Sequence, residues 1–363
     1  MARAIQLARR GLYTTQPNPR VGCLLVRDGE VVGEGFHRWA GQPHAEPLAL
    51  AQAGARARGA TVYVTLEPCA HQGRTPACAD ALIAAGVSRV VAAMEDPNPL
   101  VAGKGFARLR QAGISVSSGV LEAEAAALNP GFIRRMRHGR PLVRCKLAMS
   151  LDGRTAMRSG ESRWISGDAA RLDVQLLRAR SGAIVTGIGT VQADDPAMNV
   201  RVGAAQLAGL ADDERPHQPL RVVLDPYFEM DPAAQMLRLA GETLVVGLQQ
   251  EGVTPPALSG AEVIGLPGEG GRIAFAPLLR MLAERGINDV LIEAGSRLAG
   301  AALAAGVIDE LVIYAAPHLM GDDARGLFHL PDIHSMQQRI GLEVIDLRMV
   351  GKDIRITAVP RPG

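Results

Sequence analysis

The amino-acid sequence predicts an α/β protein built from two domains. Three observations lead to this prediction: the length of the chain, the alternation of helical and strand-like segments, and a change of composition near residue 130. The chain has 363 residues, whereas one domain commonly has roughly 150. Apolar residues make up 47% of the chain and charged residues 21%, a balance typical of globular proteins with a large core.

In the first half, a hairpin precedes alternating helices and strands. Apolar positions at helical spacing cover residues 2–10 and stop at Gly11. The hairpin is predicted from strands at Val21–Val26 and Glu30–Phe36, joined by the turn Asp28-Gly29. The next predicted elements are helices over Ala45–Ala53, Cys78–Ala85 and Gly105–Ala112, and strands over Thr61–Leu66, Val87–Met94 and Ile114–Ser118. This order favours a three-layer α/β/α domain.

The chain changes character between Asn129 and Pro141. Prolines and glycines punctuate a basic stretch there, Arg134-Arg135-Met136-Arg137-His138. We place the domain boundary in this stretch, which gives domains of 1–138 and 139–363. A solvated surface helix within a single domain is the alternative interpretation.

The second half predicts another α/β domain. Helical stretches at Ala169–Arg180 and Pro277–Arg285 lie between strand-like runs. Segments 202–219 and 249–272, rich in Gly, Pro, Asp and Glu, are predicted to be loops. The predicted strands are Leu142–Ala148, Ala183–Thr186, Arg221–Leu224, Thr243–Val246, Asp289–Glu293 and Glu310–Ala315.

Charge and cysteine content narrow the classes of protein. With 39 basic and 37 acidic residues the net charge is +2, which indicates neither nucleic acid nor an anionic membrane as a partner. Residues 1–10 lack the apolar stretch of a signal peptide, and no run approaches the roughly 18 apolar residues of a membrane helix. Four cysteines are too few for a disulfide framework in a chain of this length. We therefore expect a cytoplasmic enzyme whose cysteines are buried, catalytic or metal-bound.

Four residues of the first half form a pattern suited to catalytic zinc. His44 and Glu46 open a predicted helix, and Cys69 and Cys78 follow after a strand. Catalytic zinc commonly has three protein ligands and an open position for water, and imidazole and thiolate suit this metal. The predicted ligands of one zinc ion per chain are His44, Cys69 and Cys78. Glu46, not a ligand, is placed to carry protons from the activated water to a ring nitrogen and the departing ammonia.

The same residues match the signature of zinc deaminases that act on nucleobase-like rings, His-x-Glu followed by Pro-Cys-x-x-Cys. One spacing differs, because Cys78 lies nine residues after Cys69 and a loop must return it to the metal. A structural zinc knot with His71 as fourth ligand is an alternative, but it leaves Glu46 without a role.

Two further alternatives concern the whole chain. A nucleic-acid or free-nucleoside zinc deaminase with an accessory domain would carry the same pattern, but the nucleic-acid enzymes need a basic face, and neither needs a second catalytic domain. A non-catalytic, zinc-stabilised binding module would have no use for Glu46. The near-neutral charge and the long second half argue against the first alternative.

Longer runs resemble the bifunctional deaminase–reductases of riboflavin biosynthesis. The deaminase resemblance lies in Thr15-Gln16-Pro17-Asn18-Pro19-Arg20-Val21-Gly22-Cys23, in His44-Ala45-Glu46 and in the run from Leu66 to Cys78. The reductase resemblance lies in residues 146–154, 161–167, 193–196, 293–295 and 309–311. These runs span nearly the whole chain and are weakest over about 202–285. Gln72 departs from the family pattern, in which a second histidine is common at that position.

The resemblance implies two consecutive reactions on a diaminopyrimidinone ribosyl phosphate. The first domain would be a cytidine-deaminase-like three-layer α/β/α domain that hydrolyses one exocyclic amine from the ring. The second would be a dihydrofolate-reductase-like α/β domain that reduces the ribosyl chain to ribityl with NADPH, through the opened sugar. A homo-oligomer is also expected.

The resemblance further implies residues for each site. In the deaminase, Asn18 would lie beside the pyrimidine. In the reductase, substrate contacts would come from Ser162, Arg178, Met198, Arg201 and Glu293. Cofactor contacts would come from Ala148, Trp164, Thr190, Asp194, Gly295, Ser296, Arg297, Leu298, Ala299, Gly300 and Ala301.

Physical arguments support parts of this assignment. Arg178 and Arg201 can each bind phosphate through two parallel hydrogen bonds, although Arg178 could equally lie on a solvated helix face. Residues 293–296 end a strand and begin a helix, so free backbone N–H groups there could hold a cofactor pyrophosphate; residues 187–189 are a weaker case. Trp164 could instead pack in the core. No Gly-x-Gly-x-x-Gly follows the first strand of either half, so a Rossmann dinucleotide site is not predicted.

Overall fold

The computed structural model describes residues 1–70 and 77–361, and the chain forms two compact units. The first unit is Met1–Arg140 with Gly203–Pro216, and the second is Pro141–Val202 with His217–Gly363. The predicted domains, 1–138 and 139–363, differ from these units mainly in the segment 203–216. That segment belongs to the first unit although it lies in the second half of the sequence. The assignment of one function to each predicted range stays a prediction.

The first unit is a mixed five-stranded sheet with helices on both faces. Its sheet order is β2-β1-β3-β4-β5, in which β1 is antiparallel to both neighbours and β3, β4 and β5 are parallel. The strands are β1 (Gly22–Arg27), β2 (Glu30–Phe36), β3 (Thr61–Val64), β4 (Arg89–Ala92) and β5 (Ser115–Ser117). The helices are α1 (Ala2–Arg9), α2 (Ala45–Ala53), α3 (Cys78–Ala85), α4 (Lys104–Gln111), α5 (Glu122–Ala126) and α6 (Pro130–His138).

Apolar side chains of the two sheet faces form separate cores, which confirms the three-layer architecture. One core joins alternate residues of β1, β3 and β4 to α2, α3 and α4. The opposite face packs Leu24 and Phe36 against Leu7 of α1. This arrangement follows from the strand period of two, since alternate side chains point to opposite faces of a sheet.

Two glycines of β2 let helix α2 lie very close to the sheet. A Cβ atom on Gly33 would stand 2.1 Å from the Ala49 carbonyl oxygen, and one on Gly35 would stand 2.5 Å from that of Ala45. Any side chain at either position would push the helix away. Because α2 carries Glu46 in its first turn and His44 just before it, these glycines help to set the depth of the predicted metal site.

The basic stretch at the predicted boundary is helix α6, with Pro130 in its first turn. Pro suits this position because its missing N–H would have no partner within the helix. The helix buries Phe132 and ends at Gly139, whose φ of 64° is the left-handed conformation common after helices. The unit boundary follows directly at Arg140 and Pro141, so a helix and a boundary are both present here.

The segment 203–216 packs within the first unit through its own polar and apolar contacts. Leu207 is buried, and the Glu214 carboxylate accepts hydrogen bonds from Arg38 Nη2 at 2.8 Å and Trp39 Nε1 at 3.2 Å. Gly209 has φ +86°, and a Cβ there would meet the Arg10 carbonyl oxygen at 1.9 Å. Glycine is therefore required where this segment crosses the end of α1.

The second unit is a nine-stranded sheet in the order β11-β10-β9-β8-β14-β6-β15-β18-β17. The seven strands from β11 to β15 in that order are parallel, and β18 and β17 add an antiparallel hairpin. Its first strands are β6 (Leu142–Ser150), β7 (Arg154–Ala156), β8 (Ala183–Gly187), β9 (Leu220–Leu224), β10 (Thr243–Leu248) and β11 (Glu262–Leu266). The later strands are β12 (Gly268–Glu269), β13 (Arg272–Ile273), β14 (Asp289–Glu293), β15 (Glu310–Ala316), β16 (Arg325–Gly326), β17 (Leu342–Val350) and β18 (Asp353–Pro360). Four of these strands lie outside the nine-stranded sheet, because β7 pairs with β16 and β12 pairs with β13 in two separate two-stranded sheets. The helices are α7 (Asp168–Ala179), α8 (Ile188–Asp194), α9 (Phe275–Glu284) and α10 (Ser296–Ala304).

Helices cover both faces of this sheet. Helices α9 and α10 pack on one face, and α7 packs on the other together with Met230 and Met236. The central parallel strands are therefore buried on both faces, which explains apolar runs such as Ala183 to Val185 and Val290 to Ile292. The α/β class predicted for this half is confirmed.

The sequence analysis missed strands at the two edges of the sheet. The prediction of a loop over 249–272 is wrong for β11, which pairs in parallel with β10. No strand was predicted for the hairpin of β17 and β18. Edge strands are exposed and their patterns are less apolar, so they form by pairing with an existing sheet rather than through their local sequence.

Within the described residues, no helix is long and apolar enough to cross a membrane.

Candidate active sites

The structure brings the three predicted metal ligands of the first unit together. His44 caps the N-terminus of α2, Cys69 follows β3, and Cys78 is the first residue of α3. His44 Nδ1 lies 3.2 Å from Cys78 Sγ and 3.8 Å from Cys69 Sγ, and the three ligand atoms lie within 4.8 Å of one another. Ligands at zinc distances in tetrahedral geometry are separated by roughly 3.5 Å. The cluster therefore fits one zinc ion.

The sulfur atoms of Cys69 and Cys78 also interact with each other. A hydrogen bond from Cys78 lowers the pKa of Cys69 to about 4, and the backbone N–H of Cys78 also donates to Cys69 Sγ at 3.3 Å. The same interaction raises the pKa of Cys78. The local structure thus favours a thiolate at Cys69, the form in which cysteine binds metal.

Glu46 is a buried carboxyl group at the edge of this cluster. It lies in the first turn of α2 and is only 3% exposed. Burial raises its pKa to about 7 because the charged form loses its hydration. A carboxyl group near neutrality can both accept and donate a proton, as a shuttle must.

His37, which the sequence analysis did not single out, lies between Asn18 and the cluster. Its Nδ1 is 3.2 Å from the Pro43 carbonyl oxygen, which can only accept, so Nδ1 carries the proton. Burial lowers the pKa of His37 and favours the neutral ring, so Nε2 accepts from Asn18 Nδ2 at 3.0 Å. Because the amide nitrogen of Asn18 donates to His37, its amide oxygen Oδ1 remains to accept a hydrogen bond from a ligand. The His37 and His44 rings meet edge to face with centroids 5.2 Å apart, which links Asn18 to the metal site.

The second unit contains a large cleft at the carboxyl ends of its parallel strands. The cleft has a volume of about 1820 Å³ and is bordered by the ends of β6, β8, β9 and β14. Strands β8, β14 and β6 are neighbours in the sheet although they are far apart in the sequence. In open α/β sheets, ligands bind beyond the carboxyl ends of strands where the strand order changes direction.

Nearly every residue predicted for the reductase lines this cleft. The exception is Ala299 of α10, whose side chain is fully buried in the core. The lining residues that were predicted are Ala148, Ser162, Trp164, Arg178, Thr190, Asp194, Met198, Arg201, Glu293, Gly295, Ser296, Arg297, Leu298, Gly300 and Ala301. Their individual roles stay predictions.

Arg178 and Glu293 form a buried ion pair on the floor of the cleft. Arg178 Nε and Nη2 donate to the Glu293 carboxylate at 2.6 and 2.9 Å, and Nη1 donates to the Asn199 carbonyl oxygen at 3.2 Å. All three guanidinium nitrogens are engaged, so Arg178 does not lie on a solvated helix face. Arg201 is different: Nη1 donates to Asn199 Oδ1, and Nε and Nη2 have no hydrogen-bond partner among the described residues. Arg201 is therefore the better phosphate ligand of the two.

Lys146 is a second cleft residue to which the sequence analysis gave no role. Its Nζ lies 3.9 Å from Glu293 Oε2, and burial lowers its pKa. Three charged groups, Lys146, Arg178 and Glu293, thus converge from β6, α7 and β14. A lysine in the middle of an apolar strand was the available signal, but its partners are more than 30 residues away in the sequence.

Trp164 is 71% exposed on the cleft wall, so it is not a core residue. The Arg171 guanidinium stacks over its ring at 4.6 Å from the centroid. The open face of an indole ring can stack on a planar ligand.

Two helices begin at the cleft. Helix α10 starts directly after Gly295, and α8 starts after Gly187. A Cβ on Gly295 would meet no atom within 4 Å, so space for a ligand lies beside the first backbone N–H groups of α10. Such an arrangement suits an anion such as a pyrophosphate.

The loop between the two cysteine ligands falls partly outside the described residues. Gln72, the departure from the family pattern, and His71, the alternative fourth ligand, both lie there. The zinc-knot alternative that depends on His71 therefore stays open at this position.

Comparisons with known proteins agree with both halves of the chain. Residues 1–94 match the cytidine and deoxycytidylate deaminase zinc-binding region, and residues 141–356 match the RibD C-terminal domain. The riboflavin biosynthesis protein RibD of Escherichia coli is 50% identical over 356 residues, covering 98% of this chain and 96% of that protein. The protein of the same name from Haemophilus influenzae is 48% identical and covers 99% and 96%.

Two solved structures are similar over the full length. Acinetobacter baumannii RibD superposes with a TM-score of 0.90 at 48% identity, covering 99% of this chain and 98% of that chain. A diaminohydroxyphosphoribosylaminopyrimidine deaminase/5-amino-6-(5-phosphoribosylamino)uracil reductase from Thermotoga maritima has a TM-score of 0.85 at 32% identity, covering 99% and 97%.

The fold and the two sites define a zinc-dependent deaminase joined to an oxidoreductase in one chain. The chain belongs to the RibD family of bifunctional riboflavin biosynthesis proteins. The predicted fold class and the predicted pair of activities are confirmed by this membership.

Proposed function

We propose that the first unit hydrolyses one exocyclic amine from 2,5-diamino-6-(5-phosphoribosylamino)pyrimidin-4-one and that the second reduces the ribosyl chain of the product to ribityl with NADPH. The observation that carries the proposal is the His44, Cys69 and Cys78 cluster beside buried Glu46, in a chain whose other unit has a ligand-sized cleft. The name of the Thermotoga maritima relative, which matches over the full length, supports the same pair of substrates.

In the deaminase site, His44, Cys69 and Cys78 hold zinc, and Glu46 moves protons. When bound, zinc supplies the Lewis acid that activates water for attack on the ring. Glu46, buried and with its pKa raised to about 7, would pass one proton of the attacking water to the ring nitrogen and then the second proton of that water to the leaving amine, which departs as ammonia. Asn18, oriented by His37, accepts a hydrogen bond from the pyrimidine through Oδ1.

In the reductase site, the cleft residues at the starts of α8 and α10 would hold NADPH. The backbone N–H groups after Gly295 would bind its pyrophosphate, and Trp164, Thr190 and Asp194 would contact the nicotinamide end. The donor set suits a dinucleotide because it combines an anion-binding helix start with an exposed aromatic ring. When bound, NADPH supplies the hydride.

The protein's own residues would bind and protonate the sugar. Arg201 binds the ribosyl phosphate, because two of its nitrogens have no hydrogen-bond partner among the described residues. Opening of the ribosyl ring leaves an oxygen that needs a proton, and Lys146 Nζ is placed to supply it. Glu293 and Arg178 keep that ammonium in position, and Ser162 and Met198 complete the substrate side.

The alternative of a nucleic-acid or free-nucleoside deaminase with an accessory domain is not favoured. It gives no reason for a second half that matches the RibD C-terminal domain over 141–356. It also leaves the Lys146, Arg178 and Glu293 cluster unexplained.

The test uses purified protein and the diaminopyrimidinone phosphate, with and without NADPH, and identifies the products by mass. Without NADPH, we expect the product in which oxygen replaces the exocyclic nitrogen. With NADPH, that product should gain two hydrogen atoms. Deamination of cytidine or of tRNA, with no change in the pyrimidinone, would contradict the proposal.

A cytoplasmic location and a homo-oligomeric state are part of the proposal as well. The absence of a membrane-spanning helix from the described residues is compatible with that location. Sedimentation of the purified protein would measure the oligomeric state.

A further inference from the structure

Glu67 is a buried carboxylate two residues before the metal ligand Cys69. It is 3% exposed and accepts hydrogen bonds from four backbone N–H groups. Oε2 accepts from Asp96 at 3.2 Å and Gly103 at 3.0 Å, and Oε1 accepts from Gly105 at 2.9 Å and Phe106 at 3.1 Å. Both oxygens are therefore fully used by the main chain.

Three of the four donors belong to the start of helix α4. Gly103 is the residue before the helix, and Gly105 and Phe106 lie in its first turn. The first N–H groups of a helix have no partner within it and carry partial positive charge. Glu67, which is more than 30 residues away in the sequence, accepts hydrogen bonds from these groups. The same hydrogen bonds compensate the burial of its polar side chain.

The main chain beside Glu67 is held equally firmly. The Glu67 N–H donates to the Met94 carbonyl oxygen at 3.0 Å. A Cβ on Gly105 would stand 1.9 Å from the Pro68 carbonyl oxygen, so the helix start and this segment touch without space between them. Side chain and backbone thus clamp residues 67–68 onto the β4–α4 connection.

Cys69 follows this clamp directly. Its carbonyl oxygen accepts from Ala79 N–H at 3.1 Å, and its sulfur accepts from Cys78 N–H at 3.3 Å. The position of Cys69 Sγ is therefore set on one side by α3, which carries Cys78, and on the other by the Glu67 clamp.

We propose that Glu67 is a positioning residue of the zinc site, which holds Cys69 at ligand distance by binding the N-terminus of α4. The inference rests on the proposed metal site and adds a residue that touches neither metal nor substrate. Partners that orient metal ligands commonly contribute ten- to a hundred-fold to affinity or activity.

The experiment compares Glu67→Gln with the wild-type full chain. The amide replaces one acceptor oxygen by a donor, so two of the four hydrogen bonds are lost. Zinc affinity, measured by chelator competition, should fall about ten- to a hundred-fold. The thiolate-to-metal absorption of the cobalt-substituted protein should change, and the kcat of deamination should fall with little change in KM. Glu67→Asp, which keeps both oxygens, should recover part of the affinity.

A matched control separates positioning from general stability. Asn129 makes two buried hydrogen bonds to the Arg20 main chain in the same unit, at 2.7 and 2.9 Å, and makes no hydrogen bond to His44, Cys69 or Cys78 among the described residues. Asn129→Ala should lower the free energy of unfolding but leave zinc affinity and the cobalt spectrum unchanged. If Glu67→Gln binds zinc as the wild type does, or loses no more affinity than Asn129→Ala, the inference is wrong.

The outcomes also separate this inference from the proposed metal site. If the wild type binds no zinc, or Cys78→Ser binds it normally, the metal site itself fails. If Cys78→Ser loses zinc and Glu67→Gln keeps it, only the positioning role fails. Should Glu67→Gln not fold, Gly105→Ala decides, because its methyl group would push residues 67–68 away from the start of α4 while both carboxylate oxygens of Glu67 are kept. Wild-type zinc affinity in Gly105→Ala would overturn the inference, and a ten- to a hundred-fold loss would support it.

Discussion

The zinc cluster of the first unit draws its ligands from residues 44–78, whereas the cleft of the second unit is lined by residues from Lys146 to Ile340. The cluster consists of three side chains that converge on one point, and each is required because zinc coordination needs all of them. The cleft collects groups from many strand ends, and each contributes one contact. A short motif can therefore specify a metal site, whereas a binding cleft forms only when the strands are in the correct order. Single substitutions should accordingly cost more in the cluster than in the cleft.

The largest effect is expected from Cys78→Ser. The change removes one of three metal ligands and the partner that lowers the pKa of Cys69. Most of the zinc and nearly all deamination should be lost, while reduction of already deaminated substrate continues. Metal analysis and an ammonia assay measure this. Cys23→Ser, which changes a buried cysteine outside the cluster, is the matched control; equal zinc loss in both variants would mean that the ligand set is wrong.

Glu46→Gln should separate metal binding from catalysis. The amide keeps the shape of the side chain but cannot transfer protons. Deamination should fall about 10²–10⁴-fold, the usual contribution of general acid–base catalysis. Zinc content should stay near one ion per chain. Wild-type ammonia release by this variant would exclude Glu46 as the shuttle.

Lys146→Met tests whether the cleft also depends on a single proton donor. Met is close to Lys in length but has no ammonium group. We expect reduction to fall about 10²-fold or more, with deamination unchanged. NADPH oxidation, followed by its absorbance, measures the effect. If the variant remains fully active as a reductase, the proton comes from another group. In that case Lys146 is not a proton donor comparable to Glu46.

Arg178→Met tests the buried ion pair as a structural element. Loss of one partner leaves Glu293 buried, which commonly costs about 3–5 kcal/mol. The cost should lie at the lower end because Lys146 remains 3.9 Å away. Faster hydrogen exchange of the β8 and β14 amides would report it. If the stability of the second unit does not change, Arg178 is not part of its structure, and a direct ligand role becomes the better interpretation.

The smallest effect is expected from Arg201→Ala. This side chain should give up one charge-assisted contact with phosphate, worth about 1.5–3 kcal/mol. The dissociation constant of the substrate should therefore rise roughly ten- to a hundred-fold. Removal of the phosphate from the substrate should cost as much, and the two losses should not add, because both remove the same contact. Calorimetric titration measures all four combinations. Equal binding of the dephosphorylated substrate would refute the phosphate role.

Many elements were predictable because their patterns are local. The helix Ala45–Ala53 and the strands Glu30–Phe36 and Asp289–Glu293 have the predicted bounds. Ala45–Ala53 is rich in Ala and Leu, which favour helices, Glu30–Phe36 follows the turn Asp28-Gly29, and Asp289–Glu293 has a continuous apolar centre. The cluster of His44, Cys69 and Cys78 was predictable for a similar reason, since few residue types bind zinc and their order along the chain is characteristic.

The missing elements depend on partners that are distant in sequence. Strand β11 and the β17–β18 hairpin form by pairing with an existing sheet edge. The segment 203–216 was correctly expected to be irregular, but its membership of the first unit rests on contacts such as Glu214 with Arg38, 176 residues apart. No pattern in a single sequence reports such a contact.

The α/β class, the three members of the His44, Cys69 and Cys78 cluster and the resemblance to a two-activity family could all be predicted from the sequence. These features rest on side-chain chemistry and on spacings within a few tens of residues. Which polar groups pair follows only from the tertiary structure: Arg178 with Glu293, His37 with Asn18, and Glu67 with the start of α4. Buried polar groups need hydrogen-bond partners, because an unpaired polar group in the interior is costly. The order of the strands, rather than the distance along the sequence, determines which groups lie close enough to pair.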